Sequence, residues 1–309
     1  DYYASRGLGD VYKRQVKDVA REAGVSVATV SYIMNDRKDV KISDATRKKV
    51  LQVANLMNYR PSSAAKSLAT GKSNILGITY RFNKETPSRN MELSFYINLL
   101  VEQLNRMGYD VIFIPVDPVS ENSTLKHNID GIIAIDLSNE DFNNFSNNYM
   151  VPIVAVDMLV NDALFYQVYS NLPNAINAAL SRHSDAVLVM ESYLNEAYMD
   201  YITGDINPAR IYIVKNANAD TLVSLRGKKT IVIGTYLALL LRPYVAEENM
   251  IVISSNAFSH MLPENAIHLE NDASKKANLA INLLLNAIDR KFVVNHKYEI
   301  NVELNPAIV

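Results

Sequence analysis

From Val16 onward, apolar and polar residues alternate with a helical period. Val16, Val19, Ala20 and Ala23 fall at i, i+3, i+4 and i+7 and form one stripe. Gly24 suits the left-handed residue that ends a helix, and Ser26 is placed to cap a second helix from Val27 to about Asn35. In that helix Val30, Ile33 and Met34 share one side, and Val27, Ala28, Ser31 and Tyr32 share the other. After a charged loop, Ser43 caps a third helix with Val50, Val53, Ala54 and Met57 again on one stripe. Three short helices with a tight turn between the first two predict a helix-turn-helix unit over residues 15–61. Residues 1–14 follow neither helical nor strand period and read as a tail. Residues 62–74, which include the small-residue run Ser62–Thr70, read as a short hinge helix and linker. Such a helix is too short to be stable alone in water.

Beyond Asn74 the pattern changes to apolar runs separated by helical stretches. The expected strands are Ile75–Tyr80, Asp110–Val116, Gly131–Ile135, Pro152–Val156, Ala186–Met190, Ile211–Val214, Thr230–Gly234 and Met250–Ser254. Most are continuously apolar, as parallel strands buried on both faces are. The clearest helices are Leu93–Met107 and Ala273–Arg290. This alternation predicts an α/β class with doubly wound parallel sheets, and so many strands point to two of them.

Charge separates the two regions. Residues 1–74 carry 14 Lys/Arg against 7 Asp/Glu, whereas the remainder carries 17 against 26, within a net charge of −2. A basic head on an acidic body fits nucleic-acid binding by the head, with a solvated basic face as the alternative. With no cysteine, thiolate metal sites, disulfides and thiol catalysis are excluded. The histidines at 127, 183, 260, 268 and 296 lack metal-ligand spacing, and no phosphate loop or nucleophile elbow is present. Neither cofactor, metal nor enzymatic activity is therefore expected. No apolar run is long enough for a membrane span and no secretory signal is visible, so a cytoplasmic protein is expected.

The stretch VKDVAREAGVSVATVSYIMN (16–35), continued by TRKKVLQVANLMNYRPSSAAKSLATGKSNILGI (46–78), resembles the headpiece and hinge of the LacI/GalR family of bacterial repressors. The resemblance implies a two-lobed, periplasmic-binding-protein-like effector domain over 75–309. Lobe one would span about 75–165 and 268–298, and lobe two about 166–267 and 299–309. It implies base reading in the major groove by Val27, Ala28 and Tyr32, with helix surface as the alternative for Val27 and Ala28. Ser26, Thr29, Ser31 and Asn35 suit phosphate contacts, and Ser26 can also be a helix cap. Tyr59 matches a position near DNA, with packing under the third helix as the alternative. Leu68, flanked by Ala65 and Ala69, corresponds to the leucine that wedges into the minor groove, with packing on the lower lobe as the alternative. The loop Asp36–Ile42 is slightly longer than in many members.

In the effector domain the resemblance weakens. The family's Asn-Asp pair reads Gly234-Thr235, its strand-end Asp reads Asn256, and its Asn-Pro-Phe-Phe reads Asn90-Met91-Glu92-Leu93. A family Arg has no counterpart in ESYLNEAYMDYI, and the second lobe is short. Tyr80, Asp136, Tyr193, Tyr236 and Asn256 are the candidates to line a cleft, each with a plain strand-end or loop role as the alternative. The implied protein is a homodimeric repressor of carbohydrate-related genes. It would bind a pseudo-palindromic double-stranded operator and respond to a small effector, a sugar or sugar derivative. Helix Leu93–Met107 would lie on the dimer surface, and a dimer is expected over a tetramer because no heptad tail is seen. One alternative is a DNA-binding regulator whose degenerate cleft answers to a protein corepressor or an unusual ligand. The other is a solute-binding protein or an α/β enzyme.

Overall fold

The computed structural model describes residues 15–35, 37, 40–59, 72–117 and 129–304, and the chain divides after Ser73 into two compact units. The expected tail, the hinge residues Ala65, Leu68 and Ala69, and part of the Asp36–Ile42 loop lie outside the described residues.

The first unit is three helices, α1 (Val16–Ala23), α2 (Val27–Met34) and α3 (Asp44–Leu56). Their stripes meet in one core of Val19, Ala20, Ala23, Val30, Ile33, Val50 and Ala54. At the start of α1, Gln15 and Asp18 form a reciprocal capping box. At its end Gly24, at φ +67°, donates its N–H to the carbonyls of Ala20 and Arg21. The left-handed residue turns the chain at once into α2, and this sharp corner needs glycine. The Ser26 hydroxyl accepts from the Thr29 N–H, and the Ser43 hydroxyl accepts from that of Thr46, so both caps read from sequence are formed.

The second unit is α/β. Its first sheet runs β2 (Asp110–Phe113), β1 (Ile75–Tyr80), β3 (Gly131–Ile135), β4 (Ile153–Val156), β5 (Tyr166–Asn171) and then β11 (Lys297–Leu304). The second runs β7 (Ile211–Ile213), β6 (Val187–Met190), β8 (Thr230–Ile233), β9 (Met250–Ser255), β10 (Ile267–Asn271) and again β11. β11 lies parallel to β5 through Lys297–Asn301, then pairs antiparallel with β10 through Val302–Leu304, so one strand belongs to both sheets. All other pairings are parallel. Helices α4 (Pro87–Arg106) and α10 (Ala273–Ile288) cover one face of the first sheet with Leu93, Ile97, Leu100, Ala280, Ile281 and Leu284. α5 (Asn139–Ser146) covers the other with Phe142 and Phe145. In the second lobe, α6 (Leu172–Arg182) and α7 (Glu196–Thr203) lie opposite α8 (Ala219–Val223) and α9 (Thr235–Leu241).

Three strands escaped the sequence pattern: β5, β10 and β11. They carry Gln167, Ser170, His268, Glu270, Glu299 and Asn301 among their apolar positions, because they lie where the chain passes between lobes. The lobe boundaries shift accordingly. Residues 166–168 pair with β4 and place Tyr166 and Val168 in the first lobe's core, while Tyr169 packs into the second's. Glu299, Ile300 and Asn301 also complete the first sheet, whereas 268–271 belong to the second.

Candidate functional site

In the first unit, the residues assigned to DNA lie on the outer side of α2. Val30 and Ile33 point into the core, which leaves Val27 42% exposed, Ala28 and Asn35 exposed, and Ser31 and Tyr32 half-buried. The described residues of this unit carry eight Lys/Arg against three Asp/Glu, and the Arg37 guanidinium stands 5.3 Å over the Tyr32 ring. Ser26 and Thr29 share a hydroxyl hydrogen bond of 2.8 Å at the start of α2. Asn35 ends the helix, its side-chain amide donating to the Ser31 carbonyl at 2.9 Å. Tyr59 packs against the three-helix core, and burial raises its hydroxyl pKa, so the packing alternative describes its ring.

In the second unit the C-terminal ends of the parallel strands face a cleft between the two sheets, where α/β proteins place their ligands. Asp136 and Asp157 follow β3 and β4 at φ +44° and +50°, a left-handed turn that Asp tolerates better than most residues. Arg89 and Glu92 come from the first turns of α4, Glu191 follows β6, and Lys276 stands in the first turn of α10.

The lobes are fastened by carboxylates that each sends to the other's free N–H groups. Glu191, from lobe two, accepts from the Arg89 N–H at 2.8 Å and so caps α4, whose own N-cap Thr86 makes no side-chain cap bond. Glu92, from lobe one, accepts from the Thr235 N–H at 3.2 Å and hydroxyl at 3.0 Å, and so caps α9. Asp136 accepts from the N–H groups of Leu194 (2.9 Å) and Asn195 (3.2 Å), and Glu196 accepts from that of Asn139 (3.0 Å). The Ser88 hydroxyl oxygen accepts from the Leu237 N–H at 3.1 Å. This approach uses Gly234 at φ +110°, where an added Cβ would stand 2.5 Å from the Ser88 oxygen. Asn195, fully buried, donates to the Leu137 carbonyl and Asn139 side chain and accepts from the N–H groups of Leu159 and Tyr198.

Arg89 lies at the centre. Its guanidinium donates to Asp136 at 2.6 Å and lies 3.3 Å over the Tyr193 ring. Burial disfavours the Arg89 charge, but Tyr193 and Asp136 hold its pKa above the ordinary value. Burial raises the pKa of Asp136 despite Arg89, and raises that of Glu92 despite the two bonds from Thr235. Deeper in, Lys276 donates to both oxygens of Asp157 at 2.8 Å and lies 5.1 Å over the Tyr96 ring. Between these groups is a cavity of about 60 Å³, walled by Arg89, Glu92, Tyr96, Tyr193, Ser255 and Lys276 among others, with room for several waters.

Of the cleft residues expected from sequence, Tyr193 lines this cavity and Asp136 holds its Arg89. The other three do not line it. Tyr80, the last residue of β1, packs edge-on against Phe82 and Phe113, Tyr236 is a half-exposed residue of α9, and Asn256 is exposed in the turn after β9. Their positions next to strand ends suggested the cleft, but their side chains are not on its wall. Arg89, Glu92, Asp157, Glu191, Asn195 and Lys276 were missed. One signal was present: Lys276 sits on the same stripe as Ala273, Ala277 and Ala280, and a charge on a buried stripe marks a paired or functional group. Among the described residues, no acidic and histidine cluster could hold a metal, and no helix is long and apolar enough to cross a membrane.

Residues 15–62 match the family described as bacterial regulatory proteins, lacI family. Over 63 residues, 20% of this chain, 51% are identical to catabolite control protein A of Streptococcus mutans, covering 18% of that protein. Over 150 residues, 46% of this chain, 30% are identical to the HTH-type transcriptional repressor PurR of Vibrio parahaemolyticus, covering 43% of it. The chain thus matches less than half the length of either relative. In fold it is similar to the lac repressor dimer bound to operator and the anti-inducer ONPF, with a TM-score of 0.65 at 16% identity over 94% of this chain and 97% of that one.

Proposed function

We propose, from the premise that residues 15–62 are a helix-turn-helix domain of the lacI family of bacterial regulatory proteins, that this chain is a sequence-specific transcriptional regulator. It binds a pseudo-palindromic operator as a homodimer in the cytoplasm. A small molecule in the interlobe cleft sets its DNA affinity. Repression of carbohydrate-related genes follows from its likeness to a catabolite control protein.

The observation that carries this reading is the outward face of α2. A helix buried on Val30 and Ile33 and capped by Ser26 offers Val27, Ala28, Ser31 and Tyr32 to a major groove. Val27 and Ala28 meet thymine methyl groups, and the Tyr32 hydroxyl supplies one hydrogen bond. Ser26 and Thr29 position the helix on phosphate. Leu68, between Ala65 and Ala69, opens a minor-groove step where two hinges meet. The effector acts only through its difference in affinity for the DNA-competent and released states.

Genome-wide mapping of bound sites supplies the operator, and titration of that duplex and its point variants tests the reading. Tyr32→Ala is expected to change preference at one base pair per half-site by about 1–3 kcal/mol. An equal loss on every sequence would make Tyr32 a positioning residue, and no binding to any mapped site would remove the proposal. The small cavity favours one second reading, a cleft closed on itself that answers to a protein partner. Stabilisation by a small molecule decides against it.

A further inference from the structure

We propose that the interlobe cavity takes a small hydroxylated molecule carrying a protonated amine, an amino alcohol or amino sugar, in preference to neutral or phosphorylated sugars. The proposal rests on the cleft being the effector site.

The charges on the cavity wall and directly behind it leave one carboxylate over: Arg89 and Lys276 stand against Glu92 and Asp157 on the wall and Asp136 behind it. Arg89 is committed to Asp136 at 2.6 Å and Lys276 to Asp157 at 2.8 Å. Glu92 makes its bonds to the N–H and hydroxyl of Thr235, and among the described residues it forms no ion pair. A buried carboxylate held by two hydrogen bonds and by the fields of Arg89 and Lys276, each already paired with another carboxylate, is costly, and an ammonium group of its own lowers that cost. One helical turn further along α4, on the same side, Tyr96 lines the cavity and is 5% exposed. Among the described residues its buried hydroxyl has no hydrogen-bond partner. A ligand hydroxyl or ammonium next to Tyr96 meets that need, and Ser255 and Asn271 on the same wall offer further polar contacts.

Other ligand classes fit less well. A phosphate would be drawn to helix N-termini, but those of α4 and α9 already carry Glu191 and Glu92. It would have to displace a carboxylate and then sit beside the remaining ones. A neutral sugar would satisfy Tyr96 and bring Glu92 no cation of its own. The cavity, about 60 Å³, suits a short amino alcohol as it stands, and a ring-sized ligand must part the lobes.

The test uses the full chain and its mapped operator. Thermal unfolding and calorimetric titration are run with ethanolamine, glucosamine, N-acetylglucosamine, glucose and glucose-6-phosphate. Ethanolamine or glucosamine is expected to raise the melting temperature in a concentration-dependent way, and the three probes without an ammonium group are not. Glu92→Gln, which keeps an acceptor for Thr235, is expected to weaken binding of the amine at least about tenfold. The proposal is overturned by tighter binding of glucose or glucose-6-phosphate, by no response to either amine, or by an unchanged amine affinity in Glu92→Gln. Operator binding by the same preparation separates the two claims. Its absence removes the regulator reading, whereas operator binding without an amine response removes only the ligand class.

Discussion

In the head, the side chains assigned to function turn away from the core: Val27 and Ala28 are exposed, and Tyr32 lies half-covered beneath Arg37. In the cleft they turn toward one another: Arg89 on Asp136 and Tyr193, Lys276 on Asp157, Glu92 on Thr235. A surface that awaits a partner as large as a duplex needs a rigid support and little else. A cleft that closes on a small molecule must hold most of its polar groups by itself, and here helix caps exchanged between lobes do so while the Tyr96 hydroxyl is left over. The difference predicts that substitutions in the head alter recognition with small effects on stability, whereas substitutions in the cleft alter stability and closure first.

The largest effect expected is at Arg89. Arg89→Met keeps the length and apolar stem of the side chain but leaves Asp136 buried with only backbone donors. Removing one partner of a buried pair costs on the order of 3–5 kcal/mol. Urea unfolding of the body should show a loss of that size, while the helical head unfolds as before. A loss below about 1 kcal/mol would show that Asp136 is satisfied by Leu194 and Asn195 alone and that the contrast between the regions is overstated.

Why one region was legible and the other was not follows from the same contrast. In the head each rule acts within a few residues. Stripes at i, i+3, i+4 and i+7, Gly24 as a stop, and Ser26 and Ser43 as caps all formed as read. In the body, the apolar runs located the buried strands to within a few residues, but β5, β10 and β11 mix polar with apolar positions and were missed. Cleft residues are brought together across long separations: Arg89 with Asp136 and Glu191, and Lys276 with Asp157. No local period reports such pairs. Asp136 and Tyr193 were found because they follow apolar runs, yet the same cue produced Tyr80 and Asn256, whose side chains leave the cavity. A strand end locates the rim of a cleft, and only the turn that follows decides which way the side chain points.

A smaller effect concerns pH. Burial raises the pKa of Glu92, Asp136 and Glu191 above the ordinary carboxylate value of about 4. Between that value and the raised one, the folded body binds protons that the unfolded chain has released. The stability from these groups is therefore complete below the ordinary value and is lost as pH rises through the folded one. Each proton contributes a slope of at most about 1.4 kcal/mol per pH unit. Glu92→Gln removes one such group, so its stability relative to the parent should grow as pH rises through that window. Parallel curves for the two proteins would mean that Glu92 is as well solvated in the fold as in the unfolded chain, and would remove the charge argument for an amine ligand.

The smallest effect tests the head's side of the comparison. Ser26 both caps α2 and stands where a phosphate contact is proposed. Ser26→Ala removes the acceptor for the Thr29 N–H, at a cost near 1 kcal/mol in helix stability. Ser43→Ala makes the same change at the start of α3, a different helix from the proposed base readers. If Ser26 only caps, the two variants should lose similar stability and bind operator alike once folded. If Ser26 also holds a phosphate, its variant should bind every sequence more weakly by a uniform factor and leave base preference intact, because a phosphate contact fixes position without reading sequence. Titration of the operator and one non-operator duplex with both variants separates the outcomes, since the ratio of the two affinities moves only when base reading is disturbed.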